Sequence, residues 1–437
     1  MTFRLPPVER ELLPGGATAV VARKEGVPLA AVRLMVRAGA ALDPPGRFGL
    51  ASLSAAVARR GTRRRSGRRI DELVESLGAE LGAGCDDDAT YVALSAPAED
   101  LPRLLEVVVE VASAPSFPPD EFERLRRREL AGLEHDLDEP SSVADRAMIG
   151  AAYGDHPYGH PVEGRARDLR ALRRRDAAAF HRAWFGPASA ILAVVGAVDP
   201  GEALRLVRSR LAGWRAEAAP APEIPAAPPA ARSVLLVDKP DATQTQVRLA
   251  TPVFGRASPD YFPAVVANAA LGGGFTSRLV ETIRVTRGLS YGVRSRFGLG
   301  RAAGLWIFSS FTKAETTGEL LQVALDEIGR FCDEGPTAEE LSRAQGYLAG
   351  LFPLSLETHD QLAGKICDLE LYGYPMAEVT GYPERVRAVT AEACRAVSRR
   401  WLPHSGGAIV AVGPAARIRR QLERFGPVTV VPPRRVM

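Results

Sequence analysis

Segments of the first half of this chain recur in the second half at a nearly constant offset, and that repeat limits the possible folds more than any other feature. FHRAWFGPASAILAVVGAVD (180–199) answers to VSRRWLPHSGGAIVAVGPA (397–415), so that Trp184 and Trp401, Gly196 and Gly413, and Phe180 and Val397 each lie 217 residues apart. Leu104–Val107 matches Leu320–Val323, Leu130–Leu133 matches Leu348–Leu351, and Val32–Leu34 matches Val247–Leu249. The offset drifts only from 215 to 218 along the chain. A tandem duplication explains this, and the fold question reduces to one lobe used twice.

AEAAPAPEIPAAPPAARS (216–233), rich in Ala and Pro, reads as a semi-rigid extended linker and places the lobes at 1–215 and 234–437. Strand patterns open each half: VPLAAVRLMVRAGA (27–40) in the first, VLLVDK (234–239) and TQVRLA (245–250) in the second. Helical periodicity follows over Arg69–Leu81, Leu101–Ala112 and Pro119–Leu137. Pro118-Pro119-Asp120 ahead of EFERLRRRELAGLEHDL reads as a helix start, with Pro336–Glu340 as its counterpart. Each half is therefore expected to form an α+β lobe.

Composition bounds the function. A chain of 437 residues that is 46% hydrophobic can bury two cores, and 56 basic against 52 acidic residues leave a charge too close to balance for a nucleic-acid binder. No uncharged apolar run approaches the roughly 18 residues of a spanning helix, and Met1–Gly16 contains Arg4, Glu9, Arg10 and Glu11 without a signal-length apolar stretch. A cytoplasmic product with no membrane partner is expected. Cys85, Cys332, Cys367 and Cys394 are scattered and read as free thiols in a reducing compartment. The preference for Arg over Lys and the single asparagine, Asn268, read as compositional bias. RRGTRRRSGRR (59–69) holds seven arginines in eleven residues, but it lacks interleaved aromatics for base stacking and joins two helical patterns. It reads as a solvated basic loop, and no nucleic-acid partner is expected.

Longer motifs carry a resemblance. GLASLSAAVARRGT (49–62), IDELVESLGAEL (70–81) and GDHPYGHPVEG (154–164) resemble the first lobe of an M16 metalloprotease, the family of insulinase, pitrilysin and the processing peptidases. LGGGFTSRLVETIRVTRGLSYGVRS (271–295) and LSLETHDQLAGKI (354–366) resemble its second lobe. The resemblance covers nearly the whole chain. It implies an α+β fold of two tandem LuxS/MPP-like metallohydrolase lobes, each an antiparallel-rich sheet with helices packed on one face. Length and repeat suit the M16B branch, whose two-lobed chains associate in pairs.

The family's chemistry resides in a His-x-x-Glu-His helix whose spacing puts two imidazoles on one zinc and the carboxylate on its water. Gly49-Leu50-Ala51 before and Gly61-Thr62 after fix the register here, and the three functional positions hold Ser52, Ala55 and Ala56. Neither alanine has a lone pair, and a lone hydroxyl is a poor zinc ligand. The family's third ligand, a downstream Glu, falls near Gly132 and Leu133, with Glu129 and Glu134 off register. The resemblance thus implies a degenerate site and no metal in this chain.

Other constellations offer little. His156 and His160 are four apart, but Pro157, Gly159 and Pro161 prevent the helix that would align them. Asp86-Asp87-Asp88 beside Cys85 fits an exposed loop as well as a hard-cation site, and His135, His181, His359 and His404 stand alone.

In the second lobe, the resemblance matches Arg284 and Tyr291 to an Arg and a Tyr that the family uses to hold substrate backbone and the developing oxyanion across the zinc site of a facing lobe. Thr276–Arg287 reads as a helix stopped by Gly288, and residues 289–297 alternate as a strand. Taken alone, Arg284 could complement a helix C-terminus and Tyr291 could be a strand-core aromatic. Gly272, Gly273 and Gly274 either let a peptide pass close to the backbone or form a plain tight turn. With the resemblance, these five residues become substrate-binding candidates. The implied function is the non-catalytic subunit of a heterodimeric M16B-type zinc peptidase. Its partner would carry the His-x-x-Glu-His helix and the zinc, while this chain supplies Arg284, Tyr291 and half of a chamber enclosing the peptide. An inert structural or peptide-binding scaffold, like the core subunits of respiratory complexes, is the alternative.

Overall fold

The computed structural model describes residues 6–437; the first five residues, part of the segment on which the expectation of no signal sequence rests, lie outside the described residues. The first half forms β1 (Val8–Leu12), β2 (Thr18–Arg23), β3 (Leu29–Val36), α1 (Leu50–Ala58), α2 (Gly67–Ser76), β4 (Glu80–Cys85) and β5 (Thr90–Pro97). Its other principal elements are α3 (Leu101–Ser113), α4 (Pro119–Asp136), α5 (Pro140–Tyr153), α6 (Arg174–Trp184), β6 (Ala190–Gly196) and α7 (Pro200–Leu211). The second half forms β7 (Ser233–Asp238), β8 (Gln244–Phe254), α8 (Tyr261–Asn268), β9 (Val293–Leu299), β10 (Ala303–Lys313) and α9 (Thr317–Glu334). It ends with α10 (Ala338–Leu351), α11 (His359–Tyr372), α12 (Ala391–Trp401), β11 (Ala408–Gly413), α13 (Ala415–Leu422) and β12 (Val428–Val431).

Two six-stranded sheets result, ordered β1-β2-β6-β3-β5-β4 and β12-β7-β11-β8-β10-β9. Five strands of one correspond to five of the other in the same order. Trp184 and Trp401 end matching helices, each followed by the buried central strand of its sheet. The edges differ. β1 folds back on β2 as an antiparallel hairpin through Gly15 and Gly16, both at positive φ. β12 arrives after α13 and pairs with β7 in parallel. The helix expected over Arg69–Leu81 stops at Ser76, because Gly78 turns the chain at φ +61° and Leu81 belongs to β4.

The chain divides into two compact units that cross the sequence halves: residues 1–130, 162–223 and 353–380 in one, residues 131–161, 224–352 and 381–437 in the other. In the first unit, α11 covers β3 and β6 while α3 and α7 meet β2, β3 and β5. β3 is buried at both parities, so helices on one face do not suffice, and the second covering comes from the other half of the sequence. Asp360 of α11 pairs with Arg33 of β3 at 3.5 Å. In the second unit, α5 lies on β8 and β11, and its Asp145 accepts from Arg248 Nε of β8 at 2.6 Å. Arg33 and Arg248, like Asp145 and Asp360, are separated by the repeat offset, so one ion-pair device fastens each borrowed helix.

No described helix is long and apolar enough to cross a membrane.

Candidate functional site

α1 begins after Gly49, whose φ of +92° and whose place 2.6 Å from the Glu163 carbonyl oxygen, measured from an added Cβ, both demand glycine. No neighbouring side chain caps this helix. Asp43 caps it from a distance: Oδ2 accepts from the amides of Gly49 at 2.7 Å and Leu50 at 3.1 Å, and Oδ1 from Ala51 at 2.8 Å. Asp43 is buried, and burial pushes its carboxyl up to about 7 against the pull of the three amides, with Asp168 adding to the rise. Sequence reasoning passed over this residue; an Asp-Pro-Pro-Gly turn ahead of an uncapped helix was the available signal.

Ser52 and Ala56 lie one turn apart on α1, half-buried, and Ala55 is buried. Gly132 sits in α4, where Glu129 is engaged with Arg128 at 2.9 Å. A single hydroxyl among two methyl groups and a hydrogen is not a donor set for zinc. Among the described residues no cluster of three or more His, Cys, Asp or Glu side chains is arranged to hold a metal.

The other sequence candidates have structural occupations. His156 stacks on Tyr153 at 5.3 Å and bonds the Pro225 carbonyl at 2.9 Å; His160 is buried and contacts the Pro161 carbonyl at 3.1 Å. Asp86 closes a turn by accepting from the amides of Asp88 and Ala89, and the Asp86 and Asp87 carbonyls receive the amides of Ala40 and Ala41. Five arginines of the basic run pair with acids: Arg59 and Arg60 with Asp71, Arg65 with Glu106 and Glu110, Arg68 and Arg69 with Glu72.

In the second lobe the glycine segment is anchored by Asn268, the single asparagine of the chain. Asn268 Nδ2 donates to the Ser295 carbonyl at 3.0 Å, and its Oδ1 accepts from Ser295 Oγ at 2.7 Å and Trp306 Nε1 at 2.9 Å. This buried asparagine satisfies its polar atoms while tying the end of α8 to β9 and β10. Gly272 packs so closely here that a Cβ would meet Ser295 Oγ at 2.4 Å, and one on Gly273 would meet Asn268 Nδ2 at 2.8 Å. Gly273 and Gly274 reach the surface.

The expected helix over Thr276–Arg287 is shorter and wider. It starts at Arg278, opens into a wide π-type turn over Glu281–Thr286, and ends at Gly288 with φ +61°. Such wide turns occur frequently at functional sites. The strand starts at Val293 and not at Leu289, because Ser290 Oγ donates to the Gly292 carbonyl at 3.0 Å and accepts its amide at 3.1 Å, closing a local turn. Tyr291 is therefore off the ladder and 85% exposed, which removes the core-aromatic reading. Arg284 lies 4.8 Å over the ring of Phe275 and pairs with no carboxylate among the described residues. Arg278 is the structural arginine of this stretch, with two bonds to Glu340 at 2.9 and 2.6 Å and one to the Gly335 carbonyl.

Two family models match the chain: Insulinase (Peptidase family M16) over residues 18–166 and Peptidase M16 inactive domain over residues 171–348. The sequence is 29% identical to an uncharacterized zinc protease of Mycobacterium tuberculosis over 409 residues, 93% of each chain. It is 25% identical to mitochondrial-processing peptidase subunit beta of Mus musculus over 413 residues, 91% of this chain and 83% of that protein. The fold superposes on the peptidase M16 inactive domain from Pseudomonas fluorescens with a TM-score of 0.87 and 27% identity, covering 93% of this chain and 98% of the other.

Proposed function

The chain belongs to the M16 peptidase family, and we propose that within it this protein is the non-catalytic member of a heterodimeric M16B-type zinc peptidase. Ser52, Ala55 and Ala56 leave it without the ligands and general base of its own site. A partner with an intact His-x-x-Glu-His helix would hold the zinc and would supply Lewis-acid activation of the scissile carbonyl. This chain contributes Arg284 and Tyr291 to the substrate and half of the enclosing chamber, with Gly273 and Gly274 offering a surface free of side chains along which peptide backbone passes.

The observation that carries the reading is the state of Arg284 and Tyr291. A guanidinium with no carboxylate partner and a phenol that is almost wholly exposed make poor stabilisers of their own lobe. Both are strong donors held ready for an acceptor from outside. A scaffold has no use for the two together. The resemblance to a protein named as a subunit of a processing peptidase supports the assembly.

The test reconstitutes the chain with a catalytic M16 subunit and compares Arg284→Leu and Tyr291→Phe with wild type. Loss of one oxyanion-directed donor costs about 3 to 4 kcal/mol, a factor of roughly a hundred to a thousand in turnover. Melting temperature and co-elution on size exclusion should stay nearly unchanged, since Tyr291 is exposed and Arg284 rests only on the exposed Phe275 ring. Unchanged cleavage by both variants refutes the assignment.

A further inference from the structure

Beside the glycine segment the second unit carries a small pocket of about 210 Å³, walled by Gly274 and Phe275 on one side and by Ala344 and Tyr347 of α10 on the other. Phe275 is 75% exposed and Tyr347 half exposed, so two aromatic side chains stand open to water around an apolar floor. Exposed apolar groups gathered around a concave floor are one of the forms a ligand-binding groove takes.

We propose that this pocket is a side-chain subsite for a bulky apolar residue of the peptide, Leu, Met or Phe in class; the proposal rests on the peptide-handling function above and specifies which peptides are held. Three observations argue for it. Its volume lies below the roughly 300 to 1,000 Å³ of pockets that take whole drug-sized ligands, and it suits one large side chain. Its two charged wall residues are already compensated. Glu340 receives Arg278 and caps α10 through Thr337, and Arg343 pairs with Glu339 at 3.0 Å. Neither of these wall residues is left with an unpaired charge, and the unpaired Arg284 guanidinium stacks on Phe275 without forming part of the wall. Finally, the pocket adjoins the candidate binding residues: Gly274 forms part of its wall, and Phe275 carries the Arg284 guanidinium on its ring. A residue seated between Phe275 and Tyr347 places its backbone along the glycines.

The test uses the full chain and a Gly/Ser/Arg host peptide with one variable position X, read by equilibrium binding. With X as Leu or Phe, binding should be at least about tenfold tighter than with X as Gly or Asp. Ala344→Phe, which fills the pocket, should abolish the discrimination while the host still binds. If that variant does not fold, Phe275→Ala at the exposed wall should reduce the discrimination severalfold. A photo-activatable leucine at X should cross-link to residues 269–276 and 340–347. Binding without discrimination, discrimination that survives both variants, or cross-links elsewhere overturns the subsite and leaves the proposed role of Arg284 and Tyr291 standing. Failure of every peptide to bind overturns the subsite together with peptide handling by this chain.

Discussion

Asp43 is the residue on which the frame of the first-lobe site depends, and replacing it with Ala removes the acceptor for three amides at the start of α1. A buried N–H left without a partner costs about 1 to 3 kcal/mol. Three of them sum to about 3 to 9 kcal/mol, reduced because the variant no longer buries a carboxyl and because the helix start can relax toward water. A net loss of about 2 to 4 kcal/mol follows, large against the usual total stability of about 5 to 15 kcal/mol. Asp43→Asn keeps one acceptor oxygen and should fall between Ala and wild type.

The same residue gives stability a pH dependence of known sign. Burial raises Asp43 and Asp87 to about 7 and raises Asp86 as well, whereas an unfolded Asp titrates near roughly 3.9. Between these values the folded chain holds protons that the unfolded chain has released. The contribution of these three groups is full below about pH 4 and is lost as pH rises through 7. Urea unfolding followed by circular dichroism should show a higher midpoint at pH 5 than at pH 8, and Asp43→Asn should shrink the difference without removing the share of Asp86 and Asp87. A midpoint that rises from pH 5 to pH 8, or an Ala variant within about 0.5 kcal/mol of wild type, refutes the reasoning.

The two ion pairs that fasten the borrowed helices should differ in strength. Asp145→Ala leaves Arg248, which is only 5% exposed, with neutral acceptors alone and should cost about 2 to 3 kcal/mol in urea titrations, whereas Asp360→Ala frees a more solvated Arg33 and should cost under about 1 kcal/mol. Residues 1–223 expressed alone lack α11 over β3 and β6, so they should aggregate or bind a hydrophobic dye without cooperative unfolding; a sharp two-state transition would refute the exchange as a folding requirement. The purified full chain should contain no stoichiometric zinc by elemental analysis and should cleave no peptide, and one tightly bound zinc lost on changing Glu129 or Glu134 would contradict this.

What the sequence reveals and hides follows from the kind of force at each position. The repeat reveals the correspondence of the sheets because the all-buried strands that follow Trp184 and Trp401 are fixed by packing that leaves an apolar pattern. That pattern says that a face is buried, not against which sheet, so the exchange of α5 and α11 was invisible although each carries its own Asp. Alternation placed Tyr291 inside a strand; one hydroxyl, on Ser290, takes it out by competing for the backbone. Asn268 looked like an accident of composition, and only its three bonds in a buried setting show its function.

The first-lobe site shows why a degenerate centre can keep its shape. α1 is held by Asp43 and Gly49 at its start and by Leu53 and Val57, which are buried in the core. Ser52 and Ala56 lie on the half-buried side, away from what fixes the helix. Side chains at those two positions can lose every metal-binding atom at little cost in stability, because the helix is secured by its core face and its cap. The helix therefore keeps its place whether or not its half-buried side chains can bind a metal, and for that reason the proposed absence of a zinc site carries little cost in fold.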